Sequence, residues 1–461
     1  AEGLLLSALG GVLGLIFAFV GLRLLTRMPG IAIPRLDEVG LNGWVLAFTL
    51  LVSLLVGALT SLAPFLRLRK PQLQSMFKEG DSSKSSAGRG ARLTQKALLV
   101  SQVALATAVL VVAGLLLRSF LHLQAVPTGF KAENALSFQI FLSPSRYPER
   151  HLYTGFYQQV LDRMRALPGV QSAGVIYELP FGARRFAVET DIEGNELRAG
   201  ERQPMVGWRP VSPEIFKTLG IKLIAGREFE PLDNETGEQV AIVSQSLAQR
   251  YWPGQDPLTK KVKLSGRPGN VAQWLRVVGV VDDVRSLGLD SEVPIAIYTP
   301  FPQATFPAFA VVIRTQGDPR SLPRGVRGAV GSIDRDQPIE ALVPLTTQLE
   351  RHLANRRAYA RLTTVFAVLA LVLVGFGIHG LMAYLVSQRT AEIGIRMALG
   401  SDRGTIFKMV LGPVMTLTAI GVTLGLAIAL GLGRMIQGQL FGTSGWDLPT
   451  LIGVPLLLLG L

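Results

Sequence analysis

Long apolar runs alternate with short charged stretches along the chain, and the runs have the length of membrane crossings. A helix rises about 1.5 Å per residue, so roughly 20 apolar residues cross a hydrocarbon core of about 30 Å. Such runs occupy residues 4–22, 43–66, 97–117, 362–386 and 409–432, and a sixth begins at 448 and continues to 461. The pattern predicts a polytopic α-helical membrane protein with five complete and one partial transmembrane helices. Between the third and fourth runs the period changes. Leu136-Ser-Phe-Gln-Ile-Phe141 and the stretch 274–281 alternate as strands do, whereas 149–167 has helical spacing and stops at Pro168-Gly169. Residues 118–361 therefore read as a large extracytoplasmic mixed α/β domain with room for one or two small cores.

Composition supports the membrane class: 49% of the 461 residues are hydrophobic and 17% charged, against about 25% charged in ordinary soluble domains. No cysteine is present and only four histidines are, which excludes disulfide scaffolds, thiol nucleophiles and Cys-ligated zinc. The net charge of +13 first has to be divided by loop, because cytoplasmic loops collect Lys and Arg. The stretch after the second run carries Arg67, Arg69, Lys70, Lys78, Lys84, Arg89, Arg92 and Lys96 against Glu79 and Asp81. Two crossings later, 387–408 carries Arg389, Arg396, Arg403 and Lys408 against Glu392 and Asp402. The stretches 23–42 and 433–447 are nearly neutral. Both basic loops thus face the cytoplasm and the large domain lies outside. The basic residues lack interleaved aromatics, so nucleic-acid binding falls away.

Gly80 to Gly90 reads as a flexible linker by its Ser and Gly content. Sliding the chain on itself by 411 residues lays Ala8, Gly10, Leu13, Gly14, Leu15, Ala18 and Arg23 on Ala419, Gly421, Leu424, Gly425, Leu426, Ala429 and Arg434. This points to duplication, with residues 1–66 as the last two helices of a first unit and the sequence as a fragment of a longer duplicated protein. Gly10/Gly14 and Gly421/Gly425 make small-xxx-small faces for helix packing.

Most catalytic signatures are missing or out of place. No Gly-x-x-x-x-Gly-Lys-Ser/Thr, HExxH or Gly-x-Ser-x-Gly occurs. Gly375-Phe-Gly-Ile-His-Gly380 fits GxGxxG but lies inside an apolar run rather than between a strand and a helix. His379 sits in the same run, where a neutral histidine with one hydrogen bond inside the bundle competes with a proton relay. Leu264-Ser-Gly-Arg-Pro268 reads as a turn. Asp282-Asp283 also reads as a loop feature, since adjacent strand residues point to opposite faces. A membrane enzyme is thereby disfavoured. A receptor would need a cytoplasmic output module, for which the inside loops leave no room.

The specific signal is Gln388-Arg-Thr-Ala-Glu-Ile-Gly-Ile-Arg-Met-Ala-Leu-Gly400. On one helix, Arg389, Glu392, Arg396 and Arg403 share an arc of about 60°, with Glu392 and Arg396 in the favourable i,i+4 order. Ile393, Ile395, Met397 and Leu399 cover several directions. Such a helix either docks on another protein or rests on lipid.

At this motif the chain resembles the MacB/FtsX superfamily of ABC-transporter permeases, matching at Arg389, Glu392, Ile393, Gly394, Ile395, Arg396, Ala398, Leu399 and Gly400. Gly226-Arg-Glu-Phe229, the run from Ala248 to Gly254, Asp256-Pro-Leu258 and Val277 to Arg285 resemble the family's periplasmic core domain. The arrangement is similar to duplicated orphan permeases of the acidobacterial type. Ser244, Thr259 and Ser401 depart from the family pattern. The resemblance implies the last two helices of a first FtsX-like unit at 1–66, a basic cytoplasmic linker at 67–96, and the first helix of a second unit at 97–117. A MacB-like periplasmic core domain follows at 118–361, and then an FtsX-like permease domain at 362–461 with a coupling helix at 388–408. It further implies that this helix docks on a separate ABC ATP-binding subunit, with Arg389, Glu392, Ile393, Gly394, Arg396 and Gly400 as coupling residues. ATP would be bound by that partner, with no cofactor in this chain and no residue performing catalysis. Implied too are the bacterial inner membrane, pairing with a second permease unit in the same chain or in a homodimer, and room for a periplasmic adaptor or outer-membrane channel.

Overall fold

The computed structural model describes residues 2–27, 42–68, 84–182, 186–198, 200–265 and 273–460. The stretch 69–83 of the basic linker, and most of the turn read at 264–268, lie outside them. Two compact units form: Ala1–Gln124 with Ala354–Leu461, and Ala125–Leu353.

In the first unit, α1 (Glu2–Arg27) packs on α2 (Gly43–Leu68), and α3 (Lys84–Gln124) follows. The stretch 84–90, expected to be flexible, is helical. Once the apolar helix has nucleated, each further residue gains a backbone bond at little cost, which outweighs the composition.

The second unit runs β1 (Ala135–Phe141), α4 (Arg150–Arg165), β2 (Val170–Ile176), β3 (Ala187–Ile192), β4 (Met205–Val211), α5 (Ile215–Leu219), β5 (Leu223–Gly226), β6 (Val240–Ser244), α6 (Gln245–Tyr251), β7 (Lys261–Leu264), β8 (Trp274–Val281), β9 (Ala296–Pro300), β10 (Ala308–Thr315), α7 (Pro323–Gly331) and β11 (Ile339–Pro344). The strands and helix expected from periodicity fall at β1, β8 and α4. An antiparallel sheet in the order β11-β1-β10-β2 joins α4 and α7 around a core of Phe138, Ile140, Tyr157, Val160, Val311 and Val330.

The remaining main strands follow β4-β3-β7-β8-β6-β9, and β9 pairs back on β4 in parallel from Gly207↔Ala296 to Val211↔Pro300. The ring closes and leaves no free edge among its six strands. Inside it lie Val206, Trp208, Val243, Val277 and Ile297, with Trp208 Nε1 donating to Thr299 Oγ1 at 2.9 Å as a buried indole requires. A single bridge, Ile176↔Val211, links sheet to ring. Just after β8, Asp283 Oδ1 accepts from Ser246 N at 2.9 Å, satisfying a first-turn N–H of α6 beside the one its N-cap, Ser244, takes from Leu247.

Four helices follow in the chain: α8 (Leu345–Gln388), α9 (Thr390–Ala398), α10 (Arg403–Met435) and α11 (Leu448–Leu459). Among the described residues, three helical segments are long and apolar enough to cross a membrane: Gln95–Gln124, Arg356–Gln388 and Arg403–Met435. Ser7–Val20, Gly43–Leu55 and Leu448–Leu459 are shorter apolar helices. Both α3 and α8 run past the ends of their apolar stretches, because backbone hydrogen bonding continues where hydropathy stops.

Close helix approach occurs where α10 meets α3. A β-carbon at Gly421 would lie 2.7 Å from Val103 Cβ, and one at Gly425 2.5 Å from both the Ala104 carbonyl oxygen and Thr107 Cβ. Among the described residues, a β-carbon at Gly10 or Gly14, expected to be a packing face, would meet nothing within 4 Å; on α1 it is Gly11 that abuts Ser53 of α2. The repeat placed the small residues correctly in sequence, but the helix rotates a neighbouring residue into the contact. We expect Gly425→Val to destabilise the purified protein by roughly 1–3 kcal/mol through overpacking. Gly14→Val should leave the thermal midpoint in detergent unchanged.

In the second unit, Tyr147 Oη donates to Asp334 Oδ2 at 2.8 Å and Arg146 Nη1 to Asp334 Oδ1 at 2.9 Å, tying the end of α7 to the β1–α4 connection. The Tyr147 bond, acting against burial and helped by the Asp336 N–H and Arg146, holds the Asp334 carboxyl below its usual range. Burial, and then the same bond, push the Tyr147 hydroxyl up to about 12. A depressed native pKa stabilises above the unfolded value of about 3.9, and this is lost as pH falls through the native one. Asp334→Asn should therefore cost about 1.5–3 kcal/mol at pH 7, read by denaturant unfolding with tryptophan fluorescence. The gap from the parent should shrink as pH drops below about 3.9.

Candidate functional site

The motif 388–400 lies between α8 and α10 and does not form the single helix expected over 388–408. Arg389, in a non-helical conformation, divides α8 from α9. The joint is tight: Arg389 N donates to Val386 O at 3.1 Å, Ile393 N to Arg389 O at 2.8 Å, and Thr390 Oγ1 to Val386 O at 3.0 Å. At its other end α9 closes with Gly400 in the left-handed region, φ +86°. Ser401 N reaches Arg396 O at 2.9 Å and Gly400 N reaches Met397 O at 3.1 Å. This pairing satisfies the orphan carbonyls of a helix end and favours glycine at that position. Asp402 then caps α10, accepting from Gly404 N at 3.1 Å. Arg403 consequently belongs to α10, and the expected arc of four charges is reduced to the residues of α9 and its cap.

Within α9, Glu392 Oε1 and Arg396 Nη2 are 2.8 Å apart, both about half exposed. Such a pair contributes little to stability in water and leaves both groups able to re-pair. Among the described residues nothing lies within 4 Å of a β-carbon at Gly394, Ile393 is half-buried, and Ile395, Met397 and Leu399 are 62%, 55% and 82% exposed. A nine-residue helix with Ile395 and Met397 in the open, Leu399 exposed at its C-cap and a charge pair among them is an unpartnered amphipathic surface. Beside its start lies a crevice of about 150 Å³ lined by Lys96, Tyr384, Gln388, Arg389, Met409 and Pro413. Pro413 lies inside α10, where it removes one backbone bond.

His379 lies on the exposed side of α8, not inside the bundle where a single hydrogen bond was expected to hold it. The Gly375–Gly380 motif is wholly helical, with Gly377 facing Gln102 of α3. Gln102 escaped the sequence reading. Its side-chain amide donates to the Leu373 carbonyl of α8, a polar clamp between two apolar helices. The available signal was an amide flanked by apolar residues over two turns.

Comparison with known proteins gives two family matches: the MacB-like periplasmic core domain over residues 97–329 and the FtsX-like permease C-terminal domain over residues 364–461. A macrolide export ATP-binding/permease protein MacB from Neisseria gonorrhoeae is 26% identical over 240 residues, which cover 48% of this chain and 35% of that relative. The chain thus matches about a third of that relative's length. An uncharacterized ABC transporter permease YknZ from Bacillus subtilis is 27% identical over 307 residues, covering 64% of this chain and 70% of the relative. The crystal structure of the periplasmic region of MacB from Actinobacillus actinomycetemcomitans aligns with 14% identity and a TM-score of 0.34, covering 50% of this chain and 96% of that one. Since the core-domain match alone takes in half of the residues and the permease match covers 364–461 beyond it, the chain belongs to the MacB/FtsX family of ABC transporter permeases.

Proposed function

We propose that the chain is a permease subunit that couples ATP hydrolysis by a separate ABC ATP-binding subunit to movement of its periplasmic domain, for efflux or mechanotransmission. The observation that carries this reading is α9, which with its C-cap displays Ile395, Met397 and Leu399 around the Glu392–Arg396 pair. A short amphipathic helix of this kind fits a groove in a partner, where burying each large side chain is worth about 1.5–3 kcal/mol. Gly394 allows close backbone approach, and Arg396 exchanges its exposed partner for charge-assisted bonds. The 461 residues hold no Walker loop, so ATP is assigned to the partner. Pressure on α9 tilts α8 and α10. The 44-residue α8 runs unbroken from Leu345 to Gln388 and, with α3, forms the covalent link to the periplasmic domain.

The full reading places six crossings in the bacterial inner membrane, domains divided as the resemblance implies, and a second permease unit completing the assembly. A periplasmic adaptor or outer-membrane channel is an open place in that assembly. The rival reading, a membrane receptor, predicts that α9 has no nucleotide-sensitive neighbour.

Single cysteines introduced from Gln388 to Lys408, in a chain that has none of its own, test this by crosslinking to co-expressed ATP-binding subunits. Crosslinks should concentrate between Glu392 and Gly400 and shift with ATP. Arg396→Glu should weaken subunit association roughly ten- to hundredfold, the equivalent of losing about 1.5–3 kcal/mol of charge-assisted bonding. Uniform labelling by lipid-phase reagents, with no captured ATPase, would return α9 to the membrane surface and reopen the receptor reading.

A further inference from the structure

The crevice beside the start of α9 gathers the same ends of three apolar spans. Gln95–Gln124 starts there, Arg356–Gln388 stops there, and Arg403–Met435 passes it from Met409 in its second turn. It lies wholly within the first unit. Along α8 the lining runs from Leu381 to Gln388 and along α10 from Met409 to Leu417, a length of roughly 10 Å at 1.5 Å per residue. The end toward the middle of the spans is apolar, walled by Leu381, Leu385 and Leu417, and the end toward α9 carries Lys96 and Arg389.

Both cations are exposed and open to a ligand, and among the described residues neither is in an ion pair. The carboxylates nearest to Arg389 in sequence are engaged elsewhere: Glu392 lies 2.8 Å from Arg396 Nη2, and Asp402 caps α10. Residues 67–94, most of whose side chains lie outside the described ones, hold seven Lys and Arg against two Asp and Glu. The sequence leading to Lys96 therefore adds positive charge and does not offset it. Tyr384 Oη accepts from Gln388 Nε2, and a hydroxyl in that role keeps its own proton to donate.

An ammonium, a guanidinium and a hydroxyl around one space suit a phosphate, whose several oxygens accept from all three. A free phosphate would leave the apolar half of the crevice unfilled. The membrane supplies the amphiphile: a basic pocket between membrane helices at the bilayer boundary holds the headgroup of an anionic lipid. The volume of about 150 Å³ is on the order of five water molecules, enough for a headgroup and the glycerol beneath it, while the acyl chains run on along the lipid-facing helices. We propose that this crevice binds one anionic phospholipid, whose phosphodiester is held by Lys96, Arg389 and the Tyr384 hydroxyl. The lipid ties the start of the α3 span to the joint between α8 and α9. This needs only that the three helices span a bilayer, and it stands apart from the docking of an ATP-binding subunit.

The purified full chain in a nonionic detergent is titrated with dioctanoylphosphatidylglycerol and, separately, with dioctanoylphosphatidylcholine, and bound lipids are counted by native mass spectrometry. One phosphatidylglycerol should be retained per chain at least tenfold more tightly than phosphatidylcholine, and a large excess of glycerol 3-phosphate should not displace it. Lys96→Gln with Arg389→Gln should weaken that retention at least tenfold in a sample whose melting curve matches the parent. Lys96→Gln alone, which leaves the α8–α9 joint untouched, should weaken it severalfold. Arg403→Gln with Lys408→Gln removes the same charge from α10 at positions outside the lining, and it should keep the phosphatidylglycerol. Equal retention of the two lipids, displacement by glycerol 3-phosphate, undiminished binding to the Lys96 variants, or an equal loss in the Arg403 and Lys408 variant would each overturn the proposal.

Discussion

The membrane unit depends on the crossing of α3 and α10, where two backbones meet with glycine on one side. Lipid chains are as apolar as leucine, so there is no hydrophobic gain in bringing such helices together. Contact has to come from dispersion at close range, and that range is available at Gly421 and Gly425 because the Val103, Ala104 and Thr107 positions of α3 occupy the space of absent side chains. The Thr107 hydroxyl, fully buried there, is satisfied by its own helix through Val103 O at 2.7 Å. Helix α8 joins the same assembly through the Gln102 amide and through Val374 and Ile378 beside Leu99 and Val103. Helix α3 is therefore the post on which the later helices are mounted.

In the periplasmic unit, closure does what glycine does in the membrane. The parallel pairing of β9 with β4 turns an open run of strands into a ring and fixes the inside face by Trp208, Val243, Val277 and Ile297. Once that face is set, alternate residues of β4 and β9 have to point outward, and Arg209 and Tyr298 are carried to the same outer face. Segments on either side cover them: Glu178 follows β2 and Ser286 follows β8, and both hold the guanidinium. The buried ion pair is weak evidence for stability, since desolvation offsets most of the attraction. Its effect is to pin two connections to the ring.

How much of this was legible depends on whether the signal is local. Apolar runs and alternation located the helices and strands such as β1 and β8, because burial repeats along one element. The parallel β4–β9 partnership joins residues far apart in sequence and leaves no local trace, so neither the ring nor the surroundings of Arg209 could be read. Gly10 and Gly14 show a different limit of a local signal. Their spacing marks a small face, but spacing does not say which way the helix turns, and Gly11 made the contact. At 388–408 the necessary residues were visible. Gly400 followed two residues later by Asp402 is a helix stop and a helix start, and a helical wheel drawn through both passed over them.

That stop and start give the proposed coupling an asymmetry. Between α8 and α9 the chain departs from helix only at Arg389, and hydrogen bonds from Arg389, Thr390 and Ile393 run across the joint. Between α9 and α10 there are four residues, Leu399 to Asp402, with a left-handed glycine among them and a fresh cap on the far side. A bend at the first joint strains several bonds, whereas a bend at the second is absorbed by rotations in the loop. In the proposed coupling, force applied at Glu392, Gly394 and Arg396 would therefore pass preferentially into α8. In that coupling α10, held to α3 at Gly421 and Gly425 and carrying Pro413 within its length, would tilt less than α8.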